Sequence, residues 1–354
     1  MKRLHRLPIR PRKPGGQLPS RERTRPHVTS RAIPILLLAS ILLAASLLAT
    51  SLPLCSSSPP AVAWSATAKS EEPPASPLPP FEIAITIDDL PFVSGLGPGD
   101  SRPQATARIL SALADHHVPA TGFVVCEREG DKLLQQWLAA GIELGNHSSA
   151  HHHLDRISLT DWSADLRACN AKLASLTGTP PRWFRYPFLQ TGRTSGRRDS
   201  AMAIVTECGL RSAVVSVDTG EWALVSPYVQ ALSNGDHARA DSIGSAYLEH
   251  LMAAIDHYRI FARAHVGRDV RHILLLHANA LAADRLDSLL TRIEAAGGRF
   301  ITLEEALADS VYALPDRYAG PIGLSWLYRV ASADSAWAWD DAQVQSMTER
   351  FPAE

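Results

Sequence analysis

Cysteine is scarce in this chain and nowhere paired as CxxC, which removes a thiolate zinc site from consideration. Three cysteines, Cys126, Cys169 and Cys208, fall where the composition is that of a folded domain. An odd number at irregular spacing reads as buried free thiols acting as small hydrophobes, ahead of the alternative of a structural disulfide. Net charge is also missing: 35 Lys and Arg stand against 36 Asp and Glu. The balance hides an uneven distribution, because residues 1–31 carry ten Lys or Arg and a single acid, Glu22. Such an arm can bind nucleic acid, but the uncharged run next to it favours a membrane-directed role and no nucleic-acid partner. No internal repeat is present.

Residues 32–54 hold no charge across 23 positions, enough to cross a bilayer, and the arginines before them would keep the N-terminus cytoplasmic. Ala61-Val62-Ala63 has the small-x-small form that signal peptidase accepts, so 32–54 reads either as a cleaved signal sequence or as a membrane anchor. Lipidation at Cys55 fits poorly, since Leu54 occupies the place of the expected small residue. Each version puts the remainder outside the cytoplasm, in the periplasm or secreted. Residues 55–80, rich in Ser, Pro and Ala, read as a semi-extended linker. A catalytic domain is expected over 81–311 and a C-terminal tail over 312–354. The tail's Trp326, Tyr328, Trp337 and Trp339 are expected to pack on that domain.

Within 81–311, short apolar runs alternate with helical segments, and charged residues recur where the runs end. Asp88-Asp89 close Phe81–Ile87, and His147 follows Gly141–Asn146. Arg185 and Pro187 follow Arg182–Phe184, Asp218 closes Ser212–Val217, and His277 closes His272–Leu276. In a parallel β/α architecture the strand C-termini share one face, where catalytic groups gather. The pattern predicts an irregular (β/α) barrel of about seven parallel strands with its site at that rim.

Two adjacent carboxylates at a strand end are costly without a cation, although Asp is also common in turns. A metal resolves the repulsion, one Asp ligating while its neighbour acts as base. His147 and His151 are i, i+4 neighbours, so one helical turn would aim both rings the same way; His152 and His153 leave the second ligand open. With Asp89 the set becomes two His and one Asp with a position free for water, the catalytic form of zinc site.

The order TIDD, HSSAH, RYPF, DTGEW and LLLH resembles the polysaccharide deacetylases of carbohydrate esterase family four, the NodB-homology domain, over about Phe81 to Leu307. The resemblance implies Asp88 as base and Asp89, His147 and His151 as ligands of a divalent metal, zinc. It implies Arg185 as the residue that steadies the base, and the Phe188 backbone N–H as an oxyanion donor. Asp218 and Trp222 are implied to buttress the site, and His277 to act as general acid. The implied substrate is an acetylated glycan, with no obligatory protein partner and with a membrane contact through the N-terminal segment if it is uncleaved. Alternatives are a hydrolase of a small cyclic amide or imide, an O-acetyl esterase, or a non-catalytic glycan-binding module. Leu90, Phe188 and Glu221 replace the family's Gly, Tyr and Asp, and Leu90 is expected to narrow the space beside the carboxylates. Asp218 is the expected carboxylate behind His277. The segment Ala223 to Arg271, with a helix near Leu248–Phe261, is expected mainly to cover the barrel.

Overall fold

The strand β1 (Phe81–Leu90) is buried along almost its whole length, as suits the middle of a covered parallel sheet. In this computed structural model, which describes residues 78–331 and 338–352, β1 pairs with three others. The chain continues through α1 (Arg102–Asp115), β2 (Thr121–Val124), α2 (Asp131–Ala139), β3 (Glu143–Asn146) and α3 (Leu159–Thr177). Next come β4 (Trp183–Phe184), α4 (Ser195–Glu207), β5 (Arg211–Ser212), α5 (Val225–Ser233) and α6 (His237–His265). It ends with β6 (His272–His277), α7 (Ala280–Ala295), β7 (Gly298–Phe300), α8 (Leu303–Leu307), α9 (Trp326–Val330) and α10 (Ala338–Arg350). All pairings are parallel, in the order β5-β4-β3-β2-β1-β6, with β7 also on β1. The sheet curls into a partial (β/α) barrel whose strand C-termini face one rim.

One expected strand is mostly absent. Only Arg211–Ser212 ladder with β4, and the chain from 213 crosses toward β6, where Val217 forms an isolated bridge with Leu274. The crossing stretch links the β4 side to β6 without regular pairing.

Helix ends follow local chemistry. The Ser158 hydroxyl caps α3 by accepting from Asp161 N, and Gly178 ends that helix in the left-handed region. Thr302 and Glu305 form a reciprocal capping box at α8.

Cys126 and Cys169 are joined in a disulfide, which corrects the expectation of free thiols; Cys208 alone among the described cysteines is free. Their separation of 43 residues concealed the pairing, because β2 and α3 meet only in the folded chain. Leu90 also departs from expectation. It is fully buried, and a Cβ at Gly122 would overlap its Cδ2, so Leu90 fills the core over a glycine and does not crowd the rim.

Trp326 and Tyr328 are buried, and Trp326 Nε1 donates to Val311 O at 2.9 Å. Trp337 and the Trp339 side chain lie outside what is described, as do residues 1–77 and the expectations placed on them. No helix among the described residues is long and apolar enough to cross a membrane.

Candidate active site

Two adjacent strand residues ordinarily point to opposite faces, yet Asp88 and Asp89 both reach the rim. The register explains it: Ile87 pairs with Gly122 and Leu90 with Val124, so β1 carries one residue more than β2 over this interval. Asp89 sits in this bulge at φ 67°, a conformation that Asp tolerates better than most residues. His277 is the direct partner of Asp88 in the parallel register of β1 and β6.

His147 and His151 converge by a route the sequence did not suggest. Residues 147–153 form a loop with no helical turn, and Ser148 and His151 have φ of 65° and 55°. The loop is held from outside. The Asp165 carboxylate on α3 accepts from the N–H groups of Ser149 and Ala150 at 3.0 and 2.9 Å, and Asn146 Oδ1 accepts from Ser148 N at 2.7 Å.

Asp89, His147 and His151 bring one donor atom each to within 4.8 Å of one another. His147 donates from Nδ1 to Arg185 O at 2.8 Å, which leaves Nε2 for the site. Burial holds its imidazole down to about 4, against the pull of Asp89. Burial and the neighbouring His147 bring His151 to about 4 as well, so both rings are neutral at pH 7 and free to act as donors. Burial works against the Asp89 charge, but His147, His277, His151 and Arg128 around it hold its carboxyl below the usual range. Buried Asp89 Oδ1 accepts no hydrogen bond, although His151 Nε2 and Arg128 Nη1 stand 3.3 and 3.2 Å away. Two neutral imidazoles and an anionic, unsatisfied carboxylate oxygen suit a divalent cation.

Asp88 stands beside this set, its Oδ2 3.6 Å from His147 Nε2. Arg185, fully buried, donates from Nη1 to Asp88 Oδ1 at 3.0 Å and to Thr86 Oγ1 at 2.9 Å. Its Nε donates to Ala213 O at 2.7 Å, and its guanidinium lies 4.3 Å from the Phe123 ring centroid. Burial raises Asp88 to about 6 despite the attraction of Arg185 and His277. Such a carboxylate is ionised at pH 7 yet basic enough to accept a proton.

Behind His277 stands Glu221, in place of the expected Asp218. Glu221 Oε1 accepts from His277 N at 2.9 Å and faces Nδ1 at 3.2 Å. Burial opposes the charge on His277, but Glu221 and then Asp89 and Asp88 lift it to about 9, so the ring is protonated at pH 7. Asp218 shares the cavity wall, its carboxyl raised by burial against the attraction of His277. In the sequence the role is marked only by Glu221 closing the run Asp218-Thr219-Gly220-Glu221 before Trp222, and it was hidden because Asp218 closes the expected strand while Glu221 lies in a 3-10 turn.

These groups open into a cavity of about 820 Å³. Phe188 and Trp222, 55% and 58% exposed, stand at its mouth, with the Phe188 ring against His151 at 4.6 Å. Trp222, expected to buttress the site, is a surface of the cavity. Val225 and Val229 of α5 line another wall, so the Ala223–Arg271 segment shapes the cavity as well as covering the barrel.

Residues 75–212 match the family model described as polysaccharide deacetylase. Over these residues the chain is similar to the polysaccharide deacetylase family. The matched segment contains Asp88, Asp89, His147, His151, Arg185 and Phe188, and stops before Asp218, Glu221 and His277. The chain is 23% identical over 231 residues to the peptidoglycan-N-acetylglucosamine deacetylase of Bacillus cereus, covering 65% of this chain and 69% of that protein. It is 22% identical over 205 residues to the uncharacterized protein YlxY of Bacillus subtilis, and spans about half of that relative, 53%, with 57% of this chain aligned. Among solved structures, a family 4 carbohydrate esterase pseudoenzyme from Bacillus anthracis is similar at 22% identity and a TM-score of 0.45, over 64% of this chain and 66% of that one.

Proposed function

We propose that the chain removes N-acetyl groups from a cell-envelope or extracellular glycan by metal-assisted hydrolysis, releasing acetate. The observation that carries this reading is one cavity holding three convergent metal donors, a carboxylate poised near neutrality and a carboxylate-backed imidazolium. A divalent ion bound to Asp89, His147 and His151, here proposed as zinc, supplies Lewis acidity toward an amide carbonyl and an attacking water. Asp88 takes the proton from that water as its oxygen attacks the carbonyl carbon, and Arg185 keeps Asp88 aimed and ionised. The Phe188 backbone N–H is proposed to donate to the oxyanion. His277 gives its proton to the nitrogen, the C–N bond breaks, and acetate and a free amine leave.

Glycan substrates are favoured by the two exposed rings at the mouth, which offer faces for a sugar to stack on. The named activity of the Bacillus cereus relative points the same way. The disulfide suits an oxidising compartment, consistent with an exported chain carrying 32–54 as signal or anchor. The deciding experiment measures acetate release from acetylated chitooligosaccharides, peptidoglycan and O-acetylated glycans with zinc-loaded protein. Release from esters alone would replace the amide reading with an O-acetyl esterase, and release from none would withdraw it.

Metal analysis after zinc loading and dialysis should give one ion per chain, with His151→Ala unable to retain it. Retention by that variant would move the site elsewhere.

The pH dependence derives from the two proton-transfer groups. Turnover needs Asp88 ionised and His277 protonated, so kcat/KM should rise as pH climbs through about 6 and fall as it climbs through about 9. A bound cation moves both limbs toward lower pH, since positive charge favours the carboxylate and disfavours the imidazolium. A rate still rising beyond the alkaline limit would rule out His277 as the proton donor.

A further inference from the structure

The helix α10 lies beyond the segment matched by the family model, yet it reaches the acid side of the site. It packs on the 3-10 turn Glu221–Leu224, which carries the carboxylate behind His277. Gly220 begins that turn at φ 61°, and a Cβ there would overlap Val344 Cγ2 of α10. The helix therefore presses directly on the backbone before Glu221. A residue larger than glycine would displace one or the other.

A second contact lies one turn away. Asp340 Oδ2 accepts from the Tyr258 hydroxyl of α6 at 2.7 Å, and Oδ1 faces the Tyr328 hydroxyl of α9 at 3.5 Å. Tyr328 in turn meets His257 Nε2 at 2.7 Å. Burial and then the Asp218 charge raise Asp340 to about 8, so the helix and the loop carrying Asp218 are close enough to sense each other's charge. From α6, His250 Nε2 donates to Thr219 O at 2.5 Å. The loop is clasped between α6 and α10.

Glu221 needs that clasp. It is 1% exposed, and its Oε2 accepts no hydrogen bond, so among the described residues only His277 grips its carboxylate directly. Its placement is inherited from the backbone of the turn.

We propose that α10, through Val344 against Gly220 and Asp340 against Tyr258 and Tyr328, is a positioning element that holds the Asp218–Trp222 loop so that Glu221 stays behind His277. This rests on the acid role given to His277 above. The test compares Val344→Ala, Val344→Asp and Asp340→Asn with the parent and with the exposed-site control Ser346→Ala. Hydrogen exchange should speed up at residues 219–224 in the first three, and stay unchanged in β1 and β6. With zinc-loaded protein, kcat on an acetamide should drop about tenfold while KM and turnover of an activated aryl acetate stay within about twofold, because only the amide nitrogen needs a proton. In a Glu221→Gln background the Val344→Ala effect should vanish, since both changes act through one contact. Unchanged exchange at 219–224, or equal losses on amide and ester, overturns the proposal. Exchange reads the loop without turnover, so a parent protein inactive on both substrates would sink the catalytic reading while the positioning claim is still decided by exchange.

Discussion

Asp88→Asn is expected to retain its metal and lose amide turnover by about 10³-fold, within the range for removal of a general base. Asparagine keeps the shape, and its side-chain oxygen can still accept from Arg185 Nη1, now at 3.0 Å from Asp88 Oδ1. It cannot take a proton from water at neutral pH. The variant should also be less stable by a few kcal/mol, on the order of 3, since it leaves a buried guanidinium without its nearest anion. The remaining Arg185 bonds to Thr86 and Ala213 should keep it folded. Asp89→Asn is expected to behave differently, losing metal and turnover together, because it neutralises the one anionic donor of the three. Metal content by elemental analysis, beside kcat on an acetylated oligosaccharide, separates the two. Equal metal loss in both variants would reverse or dissolve the division of labour between these neighbours.

His277→Ala should keep the metal and the fold and cut acetamide hydrolysis by about 10²- to 10⁴-fold, the span of a general acid. Hydrolysis of an activated aryl acetate should fall far less, because a phenolate leaves without a proton. Glu221→Gln gives the milder counterpart. It removes the charge that most raises the imidazolium, so the alkaline limb of kcat/KM should shift to lower pH while the acid limb, set by Asp88, stays. Equal losses on amide and ester in His277→Ala would make the ring structural, and an unmoved alkaline limb in Glu221→Gln would remove Glu221 from the acid.

Much of this site was readable because parallel strands deliver their last residues to one rim. Asp88, His147, Arg185 and His277 could be placed from strand ends alone, and β1 with β6 puts two of them side by side. What was not readable depended on contacts between distant segments. The bulge that turns Asp89 beside Asp88 is a register property of β1 against β2, invisible in either strand. The histidine loop is shaped by Asp165 from α3, and an i, i+4 spacing cannot distinguish a helical turn from a loop held in that way. Glu221 was passed over because proximity to a strand end favoured Asp218, whereas the turn after it swings Glu221 under His277. The crossing at 213–217 reads as a strand by composition; its partners shift from β4 to β6, and no local pattern records such a change.

The disulfide between Cys126 and Cys169 encloses β3, His147, His151 and Asp165 within a covalent ring, while both aspartates of β1 lie outside it. Closing a loop of that length removes roughly 4 kcal/mol of chain entropy from the unfolded state. The stabilisation falls on one side of the donor set: oxidation ties down the imidazole arm, and the carboxylate arm is fixed by the sheet. A chain kept reduced would present a firm strand facing a loosened histidine arm, so the geometry of the three donors depends on whether this disulfide has formed.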